Sequence, residues 1–399
     1  MTSHSLLTAY RLPLTAHRPY VPGSFHLPGR MSLTRREAFQ HAWPMIFANA
    51  AVPLAGVVDT AVIGAVGDKA ALGGVALGTT LFNIFYWSFY FLRMASTGLS
   101  AQAQGAGDVP ELQRVLLRAL GLAGILGVAV LLLRQPIAAA GFAILQGGPA
   151  VESAGSTYFL VRAWGSPASY AMFALTGWLI GVGRTRAVML IQVAFSLTNI
   201  LLDLWFVLGL GWGVAGVAAA TAIAEVVAVL AGFAAVRSVV RTEGGLRPAA
   251  LDRAVLWHWP ALKRLFAINA DMMIRSWALL AGFAWFANTG ATQGAAVLAG
   301  NHVLLQIVTV WAFVLDAYAF TAETAVGRAI GARSVADLRR AIRVTTELSV
   351  ASGAAFFLLT LLLGPTLLEV WIADPEARAS AVRFLPWCAV IPLIGSAAW

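Results

Sequence analysis

A chain of 399 residues with 59% hydrophobic and only 11% charged side chains lies far from a soluble domain, in which about a quarter of the residues are charged. Together with a mean hydropathy of +0.78, this excludes a soluble enzyme and leaves an all-α polytopic membrane protein. The net charge of +9 therefore reads as arginine-rich loops against anionic headgroups, not as a nucleic-acid surface. The single cysteine, Cys388, excludes a disulfide framework and a multi-cysteine metal site.

Taken in order, residues 1–30 are polar and proline-rich, with no apolar stretch of signal-peptide length. They read as a disordered tail or a misassigned start ahead of Met31, with Ser32 or Thr34 placed to cap the first helix. About ten apolar spans follow. They are predicted over 41–66, 71–103, 113–134, 156–182, 187–209, 213–237, 261–288, 295–327 and 340–368, with another starting near Ala379. The polar stretch after the sixth span, with Gly244 and Gly245, is the longest linker. This divides the chain into an N-terminal six-span lobe (31–240), a cytoplasmic linker (241–260) and a C-terminal lobe (261–399).

Arginines alternate from loop to loop. They precede the first span (Arg35, Arg36), follow the second, fourth and eighth (Arg114, Arg184, Arg328), and crowd the linker (Arg241, Arg247). The intervening loops carry acids instead (Asp68, Glu152, Asp374), which predicts a cytoplasmic N-terminus and linker. The stretch Ala103 to Arg114 after the second span matches Ala329 to Arg340 after the eighth in its small residues, acid, leucine and arginine. An even number of spans separates the copies, so the halves are parallel repeats. The second half is short by roughly two spans on this symmetry, and the sequence reads as truncated.

The chemistry lies in charges placed where lipid should be. Asp59 sits near the middle of the first span. An ionised acid there costs at least about 2.5–3.5 kcal/mol, so it is expected to face a cavity or the protein interior and to hold a proton or a cation. Pro53, less than two turns earlier, predicts a bend. Asn199 and Asp203, spaced i, i+4, share one face of the fifth span. Thr221 and Tyr158 can add hydroxyls, although an interhelical polar staple is an alternative role for Asn199 and Thr221. In the second half Asp271 and Arg275 are i, i+4 and can neutralise one another. Asp316 and Glu323 fall on one face, Glu323 towards the solvated end, with Arg93 as a partner for an acid. A phosphate-cradling glycine loop with its lysine is lacking, which argues against ATP-driven transport, and no His/Cys/acid cluster has metal-site spacing.

The segments Asn49 to Gly64 and Phe91 to Gly105, with Phe91–Leu92–Arg93–Met94 at the head of the second, resemble the multidrug and toxic compound extrusion (MATE) family in its DNA-damage-inducible F branch. Asn269 to Arg275 and Leu315 to Glu323 look like the second-half signatures of that branch, with Ala317 where glycine is usual. The resemblance implies twelve helices in two pseudo-symmetric six-helix lobes around a central cavity. It also implies a cation-coupled (proton or sodium) efflux antiporter without a cofactor, in the cell inner membrane. Its substrates would be small amphiphilic, mostly cationic organic compounds, and it would be a monomer among membrane lipids. It places the coupling site on Asp59, Asp203 and Asn199 with Tyr158 and Thr221 nearby, and helix bending on Pro44 and Pro53. A lipid-linked precursor flippase of related architecture and an inactive truncated paralogue are the alternatives.

Overall fold

The computed structural model describes residues 33–65, 69–145, 147–242, 244–250, 292–372 and 374–396, with scattered positions between 252 and 290. The predicted tail (1–30) and the seventh span (261–288) thus fall wholly or largely outside the described residues. Every element among the described residues is helical. The N-terminal lobe comprises α1 (Arg35–Ala65), α2 (Lys69–Ser88), α3 (Phe91–Gly105), α4 (Val109–Leu132), α5 (Arg134–Ile144), α6 (Pro149–Arg162), α7 (Ser166–Gly181), α8 (Thr185–Asp203) and α9 (Gly213–Thr242). The C-terminal lobe contributes α10 (Ala295–Gly331), α11 (Val335–Trp371) and α12 (Pro375–Gly395).

Helix starts follow the local chemistry. At α1 the Thr34 N–H donates to Glu37 Oε2 at 2.9 Å and the Glu37 N–H donates back to Thr34 Oγ1 at 3.2 Å, a reciprocal cap that satisfies two otherwise orphaned amides. Asp108, Ser334 and Asp374 accept from first-turn amides of α4, α11 and α12. α1 then runs as one helix past Pro44, which is buried, and past Pro53.

Two predicted spans are interrupted. The span at 71–103 is built as α2 and α3, joined at Phe89 and Tyr90 by i→i−3 bonds such as Tyr90 N–H to Trp87 O at 3.2 Å. The span at 156–182 begins earlier, at Pro149, and contains a 3₁₀ turn at Ala163–Gly165 between α6 and α7. A tightened turn inside a spanning segment leaves its hydropathy unchanged, so neither break shows in the sequence. Short α5 was also unforeseen, because Pro136 reads as a stop signal but sits in the first turn of a helix, where its missing N–H costs nothing.

The packing is inverted relative to a soluble protein. Leu132, Leu201 and Leu362 are 72%, 65% and 73% exposed, whereas Asn199 and Asp203 are 0% exposed. Exposed leucines are matched to hydrocarbon, and buried polar groups are matched to one another. The main core joins α1, α4, α7, α8, α9 and α10 around Met45, Leu112, Trp178, Leu179, Ala224 and Phe320, with the Trp178 indole N–H donating to Leu112 O at 2.9 Å. Beyond α9, Gln113 on α4 fixes the linker, donating to Gly245 O and accepting from the Arg247 N–H.

The two lobes meet where the repeats lie. A Cβ on Gly105 would stand 2.1 Å from the Arg328 carbonyl oxygen, and one on Gly331 would stand 2.0 Å from that of Gln102. In the repeat register Gly105 corresponds to Gly331 and Gln102 to Arg328, so the contact is reciprocal, like the interface of a two-fold dimer. The turns that follow are also equivalent. Asp108 N–H bonds Ala103 O and Ser334 N–H bonds Ala329 O, both at 3.0 Å, and the Arg184 N–H to Leu179 O bond closes the turn after α7 in the same way. Each of these helix ends passes through a left-handed residue, Gly107 (φ +68°), Gly183 (φ +71°) and Arg333 (φ +55°).

Arginine pays for that conformation and glycine does not. Arg333→Gly is expected to raise the thermal midpoint of the purified protein, by the equivalent of up to about 1 kcal/mol, and Gly107→Ala to lower it by a similar amount. Thermal unfolding in detergent reads both, and an Arg333→Gly protein less stable than the parent would contradict the assignment.

Candidate functional site

Packing of α1 against α8, of α8 against α9 and of α2 against α6 brings Asp59, Asn199, Asp203, Thr221 and Tyr158 together inside the N-terminal lobe. Asn199 and Asp203 project from one face of α8, as the i, i+4 spacing predicts, and both are fully buried. The Asn199 Nδ2 donates to Thr221 Oγ1 at 3.2 Å, and the Thr221 hydroxyl donates to Val217 O at 3.0 Å. Asp59 comes within side-chain hydrogen-bonding reach of both Asp203 and Asn199. Tyr158, 4% exposed, reaches Thr79 and lies in the electrostatic field of Asp59.

The arrangement is short of donors. Asp59 Oδ1, Asn199 Oδ1 and both Asp203 carboxylate oxygens are buried without a hydrogen-bond donor among the described residues. Acceptors face acceptors, a costly state for buried oxygens unless a proton or cation lies between them. Directly after Asp203, α8 continues as a π turn, Leu204–Gly209. Such turns recur at functional sites because the extra residue re-aims neighbouring side chains.

A second group was not read from the sequence as a site. Arg162 on α6 and Glu225 on α9, 5% and 3% exposed, form a bidentate ion pair, with Nη1 to Oε2 at 2.6 Å and Nη2 to Oε1 as its partner bond. The Arg162 guanidinium also lies over the Phe82 ring at 4.1 Å. Arg162 is one turn from Tyr158, so the pair and the Asp59 cluster share a helix face. The partners are 63 positions apart, and only Glu225's place in an apolar span hinted at a buried role.

The C-terminal candidates are placed separately. Asp271 and Arg275 lie outside the described residues. Asp316 and Glu323 are half-buried on α10, both in the electrostatic field of Tyr90 just ahead of α3, with Glu323 also near Arg93 on α3. Glu323 is therefore not the freely solvated end group expected, because α10 packs on α3 and brings its Oε1 to 3.7 Å from where a Cβ on Gly98 would lie. Arg93 bonds the Tyr90 hydroxyl and stacks 3.9 Å over Phe320, and Glu323 lies in its electrostatic field, but among the described residues Arg93 forms no ion pair with either acid. Among the described residues no group of three or more His, Cys, Asp and Glu converges as a metal site.

Membrane-length helices packed around acids make a polytopic membrane fold. The MatE family model matches residues 44–205 and 271–397, and the chain belongs to that family, whose members are transporters, not enzymes. It is 37% identical to the DNA damage-inducible protein F of Escherichia coli K12 over 89% of this chain and 76% of that protein. It is 25% identical to a probable multidrug resistance protein NorM of Thermotoga maritima, over 86% of this chain and 73% of the relative. In fold it is similar to a MOP superfamily transporter from Pyrococcus furiosus, with a TM-score of 0.81 and 19% identity over 92% of this chain and 81% of that one.

Breaking the Arg162–Glu225 pair on one side strands a buried charge. Arg162→Met or Glu225→Met alone is expected to destabilise the protein by about 3–5 kcal/mol, and the double variant to recover most of that. Thermal unfolding of the three proteins checks it. Additive losses in the double variant would contradict the pairing.

Proposed function

We propose that this chain is a cation-coupled efflux antiporter for small amphiphilic, mostly cationic organic compounds, working by alternating access in the cell inner membrane. The observation that carries this reading is the placement of half-buried Asp59 within hydrogen-bonding reach of fully buried Asp203, with Asp59 Oδ1 and both Asp203 oxygens given no donor among the described residues. Two carboxylates in that position repel, so the pair holds one proton or one monovalent cation at a time. Asn199 Oδ1 offers a further unpartnered oxygen, and the Thr221 and Tyr158 hydroxyls sit at the rim. The same oxygens suit a proton or sodium, and no cofactor is required.

Coupling follows from what the site costs in each state. Loaded, one of the two charges is neutralised, the repulsion between the acids is relieved and α1 can pack on α8. Emptied, the two charges push α1 and α8 apart, and α1 carries Pro44 and Pro53, whose missing amide bonds make bending cheap. Because α1 also packs against α10 of the other lobe, a change in its course is felt at the lobe boundary. The relatives named as multidrug resistance proteins support organic compounds as the cargo. The arginines ahead of α1 and after α3, α7, α9 and α10 support a cytoplasmic N-terminus.

The test is efflux from proteoliposomes containing this protein, driven by an imposed proton or sodium gradient. Asp59→Asn is expected to cut coupled efflux by about 5- to 150-fold, the range of typical coupling energies, with binding of the compound retained. Removing sodium at constant pH then names the ion. Undiminished coupled efflux by Asp59→Asn would remove the acid from the mechanism.

A further inference from the structure

The start of α1 and the first turns of α11 flank an open pocket of about 700 Å³. It is lined by Arg35, Arg36, Arg339, Arg340 and Arg343, against a single carboxylate, Glu347. Leu33, Thr34, Ala336 and the buried Val344 complete its wall. Two of the arginines are engaged. Arg35 donates through Nε and Nη2 to Glu347 Oε2 at 3.0 and 2.8 Å, and Arg340 Nε donates to Leu33 O at 3.1 Å. Arg36, Arg339 and Arg343 have no ion pair among the described residues. A concave site with three unengaged guanidinium forks selects an anion with several acceptor oxygens in a plane or pyramid, which is the chemistry of phosphate.

We propose that this pocket binds a phosphate group, and that the bound anion ties the two lobes together. Its walls come from different lobes, α1 from the N-terminal and α11 from the C-terminal. It lies at the same end of the bundle as the Gly105–Arg328 and Gly331–Gln102 contacts, since only three residues separate the end of α10 from the start of α11. Without an anion, the Arg35–Glu347 pair and the Arg340–Leu33 bond alone oppose the repulsion of Arg36 by Arg339 and Arg343 across the pocket. With one, they share a ligand and the lobes stay closed at this end. A phospholipid headgroup can supply the phosphate because the pocket lies at a helix-end level where basic clusters meet anionic lipid. A soluble phosphate supplies the same chemistry.

The experiment uses the full chain in nanodiscs of phosphatidylcholine alone, of phosphatidylcholine with phosphatidylglycerol, or of phosphatidylcholine with inorganic phosphate added. Native mass spectrometry reads retained anion and thermal unfolding reads its effect. Phosphatidylglycerol is expected to be retained and to raise the midpoint. Arg339→Gln with Arg343→Gln should weaken retention about thirty-fold, near 1 kcal/mol for each arginine. Their replacement by lysine, which keeps the charge but not the fork, should give an intermediate loss. Equal stabilisation by inorganic phosphate in phosphatidylcholine discs would support the site with a soluble ligand. Arg237→Gln with Arg241→Gln, exposed arginines at the end of α9, should leave retention unchanged. An equal loss in that control pair, or no stabilisation by either anion, overturns the proposal. An unchanged midpoint of the glutamine variant in phosphatidylcholine alone shows that it folds.

Discussion

Two carboxyl groups set against each other within an apolar helical lobe are the constraint that organises the N-terminal half. Nothing in a hydrocarbon surround offers them water, and the described residues offer their facing oxygens no donor. Such a contact survives only where the rest of the lobe holds α1 on α8 firmly enough to keep the acids together. Several contacts fix the helices that surround Asp203. The Asn199–Thr221 bond fixes α8 on α9, and the buried Arg162–Glu225 pair ties α6 to α9. The π turn after Asp203 ends the regular helix where the acid leaves it. The site is therefore held among interhelical polar contacts while its own carboxyl oxygens lack donors. In the proposed mechanism that imbalance does the coupling.

The second organising element is backbone contact between the repeats. Gly105 and Gly331 admit the carbonyl oxygens of Arg328 and Gln102 at distances no side chain could tolerate. Close approach through small residues is how helices associate when lipid removes the hydrophobic incentive. The interface is reciprocal because the same turn stands at the end of both helices. It is also brittle, since small residues grip only at short range. A contact of this kind suits a junction with two discrete arrangements better than one that deforms gradually.

Asp59 was legible because one acid in a long apolar run is expensive wherever the chain folds, and Asn199 with Asp203 because i, i+4 spacing fixes a shared face before any tertiary contact is known. Membrane class, the principal spans and the repeat were legible for the same reason, being properties of local composition and period. Arg162 with Glu225 was not, because pairing between helices far apart in sequence leaves no local period to read. The 3₁₀ turn at Ala163–Gly165 and the π turn at Leu204–Gly209 were hidden too, since hydropathy does not register a change in helical winding. Glu323 was misjudged by its distance along the helix towards the basic end, when the packing of α10 on α3 decides its surroundings. Arg333, in the place of a turn glycine, was concealed because the repeat match was read from the conserved character of its neighbours.

Joint possession of one proton or one sodium ion by Asp59 and Asp203 is tested most directly by infrared difference spectroscopy of the purified protein in the carboxyl stretching region. In sodium-free buffer the account predicts a protonated-carboxyl band that disappears on alkalinisation or on adding sodium, and that is shifted or lost in both Asp59→Asn and Asp203→Asn. A spectrum in which no such band responds to either ion, or one that is the same in both variants as in the parent, would contradict it.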